Sequence, residues 1–112
     1  KILLLAKIFV LSGNSLVNAE ENTYFLTSKS LLTYCQSNLP AEDGICQGYL
    51  AGVADSVYSG HLSDFISICV PKGVTTIELK SLFVSYAIEY PEFFDRAADG
   101  LFTDALASKF SC

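Results

Sequence analysis

Four cysteines, one histidine and an aspartate set mid-helix among apolar residues carry the side chains with most chemical reach: Cys35, Cys46, Cys69, Cys112, His61 and Asp55. Cysteine can hold zinc, act as a nucleophile or pair as a disulfide, and spacing separates these uses. Ten, twenty-two and forty-two residues lie between successive cysteines, with no Cys-x-x-Cys pair of the kind zinc sites are built on. No metal site is expected. A Cys–His catalytic pair needs a free thiol beside its base, and these four cysteines serve better as two disulfides. His61, just past a helix end, then reads as a solvated residue. Asp55 has no acid–base partner in view and reads as a structural carboxylate, hydrogen-bonded to a nearby backbone or hydroxyl group. A Gly-x-Ser-x-Gly elbow and a phosphate-binding glycine loop are both lacking. The chain reads as a binding protein rather than an enzyme, with no cofactor.

The elements that position these residues are helical. Between Cys46 and Gly60 small residues recur every fourth position, at Gly48, Gly52, Ser56 and Gly60, continuing from Gly44. On a helix they share one face. Glycine there costs about 1 kcal/mol against alanine, which close approach of a neighbouring helix backbone would offset. Tyr49, Leu50, Val53, Val57 and Tyr58 are expected to fill a core on the opposite side, with Gly60 as the stop. This central helix takes Glu42 and Asp43 at its positive end. The same stripe resembles a membrane dimer motif, but Gln47, Asp55 and the nearby acids exclude a lipid span.

A first helix is expected from about Ser28 to Leu39, on Leu31, Leu32, Cys35 and Leu39, closed by Pro40. Residues 61–69 could be a loop with one helical turn or a short extended piece. Thr75 and Glu78 form a capping box, with Val74 and Leu79 spaced as its hydrophobic staple. That places a third helix from Thr76 to about Tyr90, with a core stripe of Leu79, Leu82, Phe83, Tyr86 and Tyr90. A second apolar line, Ile77, Val84 and Ile88, lies on another side and is expected to meet a second copy of the chain. Pro91 suits the first turn of a fourth helix, whose stripe runs through Phe94, Ala98, Leu101, Phe102, Ala105, Leu106 and Phe110. The expected fold is all-α: a small four-to-five-helix domain with two disulfides, following a cleavable signal peptide.

That leader is residues 1–19: Lys1, an apolar run from Ile2 to Leu11, and the small-residue site Val17-Asn18-Ala19. The run is too short, and too interrupted by Lys7, to span a membrane. The 112-residue chain carries a net charge of −5, and loss of Lys1 and Lys7 leaves −7 on residues 20–112. An acidic domain of this size is a poor partner for nucleic acid or an anionic membrane. It suits a partner with a basic or polar cleft. Cysteines behind a secretory leader imply an oxidising compartment. With neighbouring helices antiparallel, Cys35 and Cys46 fall at one pole and Cys69 and Cys112 at the other, so the expected bridges are Cys35–Cys46 and Cys69–Cys112.

Taken in order, Cys46-x-Gly-Tyr-Leu-x-Gly-Val-x-Asp55, Cys69-Val-Pro-x-Gly-Val-Thr-Thr, Tyr90-Pro-Glu and Ala105-Leu-x-x-x-Phe-x-Cys112 resemble the Rap1a/Tai family. The resemblance spans about residues 31 to 112. It departs at Phe110-Ser-Cys112, where the family has Phe-Pro-Cys, and after Pro-Glu, where the family is richer in His and Arg. It implies a periplasmic immunity protein that binds a cognate peptidoglycan amidase effector of type VI secretion and blocks its catalytic cleft, and it adds the family's homodimeric habit. Helical geometry puts the expected contact surface on Glu78, Ser81, Ser85 and Glu89 of the third helix, with Asp95, Arg96 and Asp99 of the last. The competing reading is a periplasmic acid-stress chaperone, also helical, disulfide-bonded and dimeric.

Overall fold

A computed structural model describes residues 24–58 and 67–112. Four helices, α1 (Ser28–Cys35), α2 (Pro40–Tyr58), α3 (Thr76–Glu89) and α4 (Ala98–Lys109), surround one core, with a single 3₁₀ turn at Pro91–Phe93. The expected leader (1–19), the stop at Gly60, His61 and the Tyr58 side chain lie outside what is described. Of the stretch 61–69, only Ser67 to Cys69 is described. It is extended there, with Ile68 bridged to Ser111.

α1 starts where Thr27 accepts a hydrogen bond from the Ser30 N–H at 3.1 Å, and it ends at Cys35, earlier than Leu39. The reason is Pro40. It opens α2 rather than merely closing α1, so residues 36–39 are spent on the corner, with the Ser37 hydroxyl accepting from the Leu39 N–H at 3.1 Å. α3 has the expected boundaries and both arms of its capping box: Glu78 N–H to Thr75 Oγ1 at 3.1 Å, and Thr75 N–H to Glu78 Oε1 at 3.4 Å.

The single fourth helix expected after Pro91 is broken in two. Phe94 closes the 3₁₀ turn, and between it and Ala98 the helical bonding is interrupted where the start of α1 docks. The Ser28 N–H donates to the Arg96 carbonyl at 2.8 Å and the Lys29 N–H to the Phe94 carbonyl at 3.0 Å. In return the Ala98 N–H, the first of α4, donates to the Leu26 carbonyl at 3.0 Å. Helix starts leave their first N–H groups without internal partners, and here two starts satisfy each other through the Thr27–Ala97 bridge.

All four helices supply the core. Phe83 of α3 meets Phe102 of α4 edge-to-face, centroids 6.0 Å apart, and Leu31, Leu50, Leu101 and Leu106 complete it. Within α3 the buried line is Leu79, Phe83 and Ala87, while Leu82, Tyr86 and Tyr90 of the expected stripe are only half-buried. In α2 the buried face is Cys46, Leu50, Ala54 and Val57, flanked by half-buried Tyr49 and Val53. The glycine face is not a helix contact. A Cβ at Gly44, Gly48 or Gly52 would meet nothing within 4 Å. At about 100° per residue, Gly48 sits roughly 160° from Leu50, so a helix whose core side is Leu50 turns its glycines to solvent. Asp43 and Gln47 instead form the seam with α3. Lys80 bonds Asp43 at 2.7 Å, Thr76 bonds Gln47 at 2.6 Å, and the Lys80 hydrogen bond holds the Asp43 carboxyl below its usual value.

Both disulfides are the expected ones, Cys35–Cys46 with Cα atoms 5.0 Å apart and Cys69–Cys112 at 5.1 Å. They differ in burial: Cys35 and Cys46 lie in the core, whereas Cys69 and Cys112 are exposed. Loop-closure entropy assigns them about 3 and about 4 kcal/mol, the longer loop gaining more. Under mild reductant the exposed Cys69–Cys112 bridge should open first, seen as alkylation of those two cysteines ahead of Cys35 and Cys46, with a fall in melting temperature at that first step. Simultaneous alkylation of all four would contradict the unequal burial.

Candidate functional site

The residues expected to meet a partner divide into two places. Glu78, Ser81 and Ser85 come together on the outer face of α3. There they line a shallow groove of about 450 Å³ with Ile77, Leu82 and Lys109. Lys109, from the last turn of α4, sits beside the first turns of α3 because the two helices run antiparallel. Glu78 also holds the α3 cap, so its carboxylate is already engaged.

Glu89, Asp95, Arg96 and Asp99 belong to the other end, around the turn between α3 and α4. All four are exposed. Arg96 Nη1 donates to Asp104 Oδ2 at 2.9 Å, and its guanidinium lies 5.1 Å from the Phe93 ring centroid. The Asp95 carbonyl accepts the Tyr24 hydroxyl at 2.6 Å, leaving the carboxylate outward. Asp99 is turned to its own helix start, accepting the Gly100 N–H at 2.8 Å.

Between these charges runs a row of three rings, two of which, Tyr86 and Tyr90, helical periodicity assigns to the core. Tyr86, Tyr90 and Phe93 stack in sequence, centroids 4.7 Å and then 6.1 Å apart, and all three are half-exposed. Arg96 closes the row on the Phe93 end. Tyr86 and Phe93 lean on the core, but Tyr90 is supported by its two neighbouring rings instead. The i, i+4 spacing of the tyrosines followed by Phe at i+3 was the available signal. What it could not show was the helix break at Tyr90 that swings the third ring outward.

Burial pushes the Tyr86 hydroxyl above its ordinary value of 10.0, the negative charge of Asp104 adds to this, and Arg96 works against it. Burial likewise raises Tyr49, helped by the charge of Asp99.

The line expected to meet a second copy is uneven. Ile77 and Ile88 are 65% and 54% exposed, while Val84 is half-buried and packs on the core. A second cleft of about 440 Å³ lies between α2 and the 70–74 turn, lined by Ala51, Ala54, Val70, Val74 and Leu79. Asp55 stands at its edge. It is exposed and makes no hydrogen bond with a described residue, so the structural role expected for it is not seen; its position on α2 is turned past the buried face toward solvent. Among the described residues no group of three or more His, Cys, Asp or Glu is placed to hold a metal, and no helix is long and apolar enough to cross a membrane.

The family model described as Rap1a immunity proteins matches residues 27–112. The match opens at the α1 cap and closes on the final cysteine, so it takes in every helix described above. No curated protein and no solved structure matches the chain.

The tyrosine shifts set an alkaline limit. A phenol raised in the folded chain stays neutral where the unfolded one ionises. Its contribution is therefore present below pH 10 and lost as pH rises through the folded value. A Tyr86→Phe variant should remove a late-titrating phenol from the phenolate absorbance curve and lose less stability than the parent above pH 10. Loss of an early-titrating phenol instead would show that Tyr86 is not shielded.

Proposed function

The chain belongs to the Rap1a immunity proteins, and on that premise we propose that it binds a peptidoglycan amidase effector of type VI secretion and inhibits it by blocking the catalytic cleft. The observation that carries this reading is the family match over residues 27–112. The family's name supplies immunity; the amidase and the secretion route come from the motif resemblance. Immunity of this kind is binding, not catalysis. The surface chemistry fits that role, since the acids set around rigid helices present a pre-ordered face to a cleft at little ordering cost.

The two disulfides suit an oxidising, extracytoplasmic compartment. With residues 1–19 taken as a removable leader and 20–112 as the immunity domain, that compartment is the periplasm. The protein works as a two-fold homodimer. Ile77 and Ile88 are large apolar side chains left in solvent on one flank of α3, and the open glycine face of α2 admits close approach of another backbone. Pairing of copies accounts for this surface better than general chaperoning, which would need broad apolar exposure and many clients.

Two measurements test these statements. Equimolar protein should abolish peptidoglycan cleavage by the amidase encoded beside it. Undiminished cleavage, together with capture of assorted acid-denatured proteins, would put the chaperone in its place. Light scattering should give about twice the monomer mass, and Ile77→Asp combined with Ile88→Asp should give a monomer of unchanged helicity. A parent protein that is strictly monomeric at micromolar concentration would end the dimer proposal.

A further inference from the structure

We infer that the Tyr86–Tyr90–Phe93 row is the surface that grips the effector, and that what it grips is a lysine or arginine side chain on a loop of that effector. The inference rests on the immunity reading and adds to it a place and a chemistry.

Three observations point the same way. Tyrosine faces attract cations through their ring quadrupole, an effect worth most when water is excluded. Tyrosine and arginine are also the residues on which binding energy concentrates in protein interfaces. Here two tyrosines stand half-exposed in a stack. Tyr90 is half-exposed and packs on its two neighbouring rings rather than on the core.

The second observation is internal. At the far end of the row the chain already performs this recognition on itself. Arg96 lies 5.1 Å over Phe93 and pairs with Asp104 at 2.9 Å. A guanidinium held between a ring and a carboxylate is therefore a geometry this surface supports. The near end repeats the ring and offers Glu89, a carboxylate with no ion-pair partner among the described residues. Glu89, Asp104 and Arg96 all lie close enough to act on the Tyr86 hydroxyl, but Arg96 is engaged by Asp104, and among the described residues no lysine or arginine pairs with Glu89 or Glu92. Lys80 is committed to Asp43, and Lys109 lies in the groove at the other end of α3.

The third is charge. Between positions 89 and 104 the chain carries five acids, Glu89, Glu92, Asp95, Asp99 and Asp104, against one cation, Arg96, which pairs with Asp104. An aromatic row flanked by an excess of carboxylates over cations selects a basic partner and repels an acidic one. A second copy of this chain, carrying the same acids, is a poor occupant.

Titration calorimetry of the full chain against the amidase encoded beside it separates the possibilities. Tyr90→Ala should weaken binding about 30-fold, the size of a desolvated cation–π contact, while Tyr90→Phe, which keeps the ring, should stay within about threefold. Glu89→Lys, on an exposed side chain, should weaken binding at low salt and lose that effect as salt rises. Circular dichroism melts of the variants should match the parent. If the parent binds and inhibits but Tyr90→Ala and Glu89→Lys do so equally well, the row is not the grip and the immunity reading stands without it. Should Ser85→Arg abolish binding in that case, the outer α3 groove is the interface instead. If the parent itself neither binds nor inhibits, the immunity reading falls and takes the inference with it.

Discussion

The reciprocal capping of two helix starts is the constraint on which the remainder of this structure depends. N–H groups in a first helical turn have no partner in their own helix, and leaving them unpaired in a protein interior costs about 1–3 kcal/mol each. α1 and α4 solve this together. The Ser28 and Lys29 amides reach the Arg96 and Phe94 carbonyls, and the Ala98 amide reaches the Leu26 carbonyl. Ser28 is wholly buried at this junction, its hydroxyl also donating to the Arg96 carbonyl at 3.0 Å. Because these carbonyls are pulled toward α1, the chain after Pro91 cannot continue as one helix. The turn that results faces Asp95 and Arg96 outward, and the helix break at Tyr90 leaves Tyr90 and Phe93 stacked on the surface instead of lining a longer helix.

The far ends of the chain are held by different means. At one pole the Cys35–Cys46 bridge ties the last residue of α1 to the second turn of α2 inside the core. At the other, the Cys69 amide donates to the Phe110 carbonyl at 2.7 Å and Ile68 bridges Ser111, so the exposed Cys69–Cys112 bond reinforces a contact already made by backbone. For a domain this small, where a single core supplies little surplus stability, covalent ties at both poles allow α3 to keep an apolar flank in solvent. That flank and the ring row are chemically distinct surfaces, one apolar and one aromatic with acidic neighbours.

Much of this was legible in the residues. The Thr75–Glu78 capping box placed α3 because both halves of its bonding pattern lie within four residues. The cysteine pairing followed from the order of helices alone, since antiparallel neighbours bring consecutive ends together. Burial of Leu31, Leu50, Phe83, Leu101 and Leu106 followed from a 3.6-residue period. Each of these depends on local geometry or on chain order. The glycine stripe, the full extent of the fourth helix and the place of Tyr86 and Tyr90 depend on something else: which side of each helix the neighbours occupy and which distant carbonyl takes a given amide. Periodicity assigns residues to a face but does not say which face is inward, so Gly44, Gly48 and Gly52 were put against a helix that packs elsewhere. The bonds from Ser28 and Lys29 to residues nearly seventy positions away leave no local mark, and only the tertiary structure, by making them, decided where α4 begins and which rings meet the solvent.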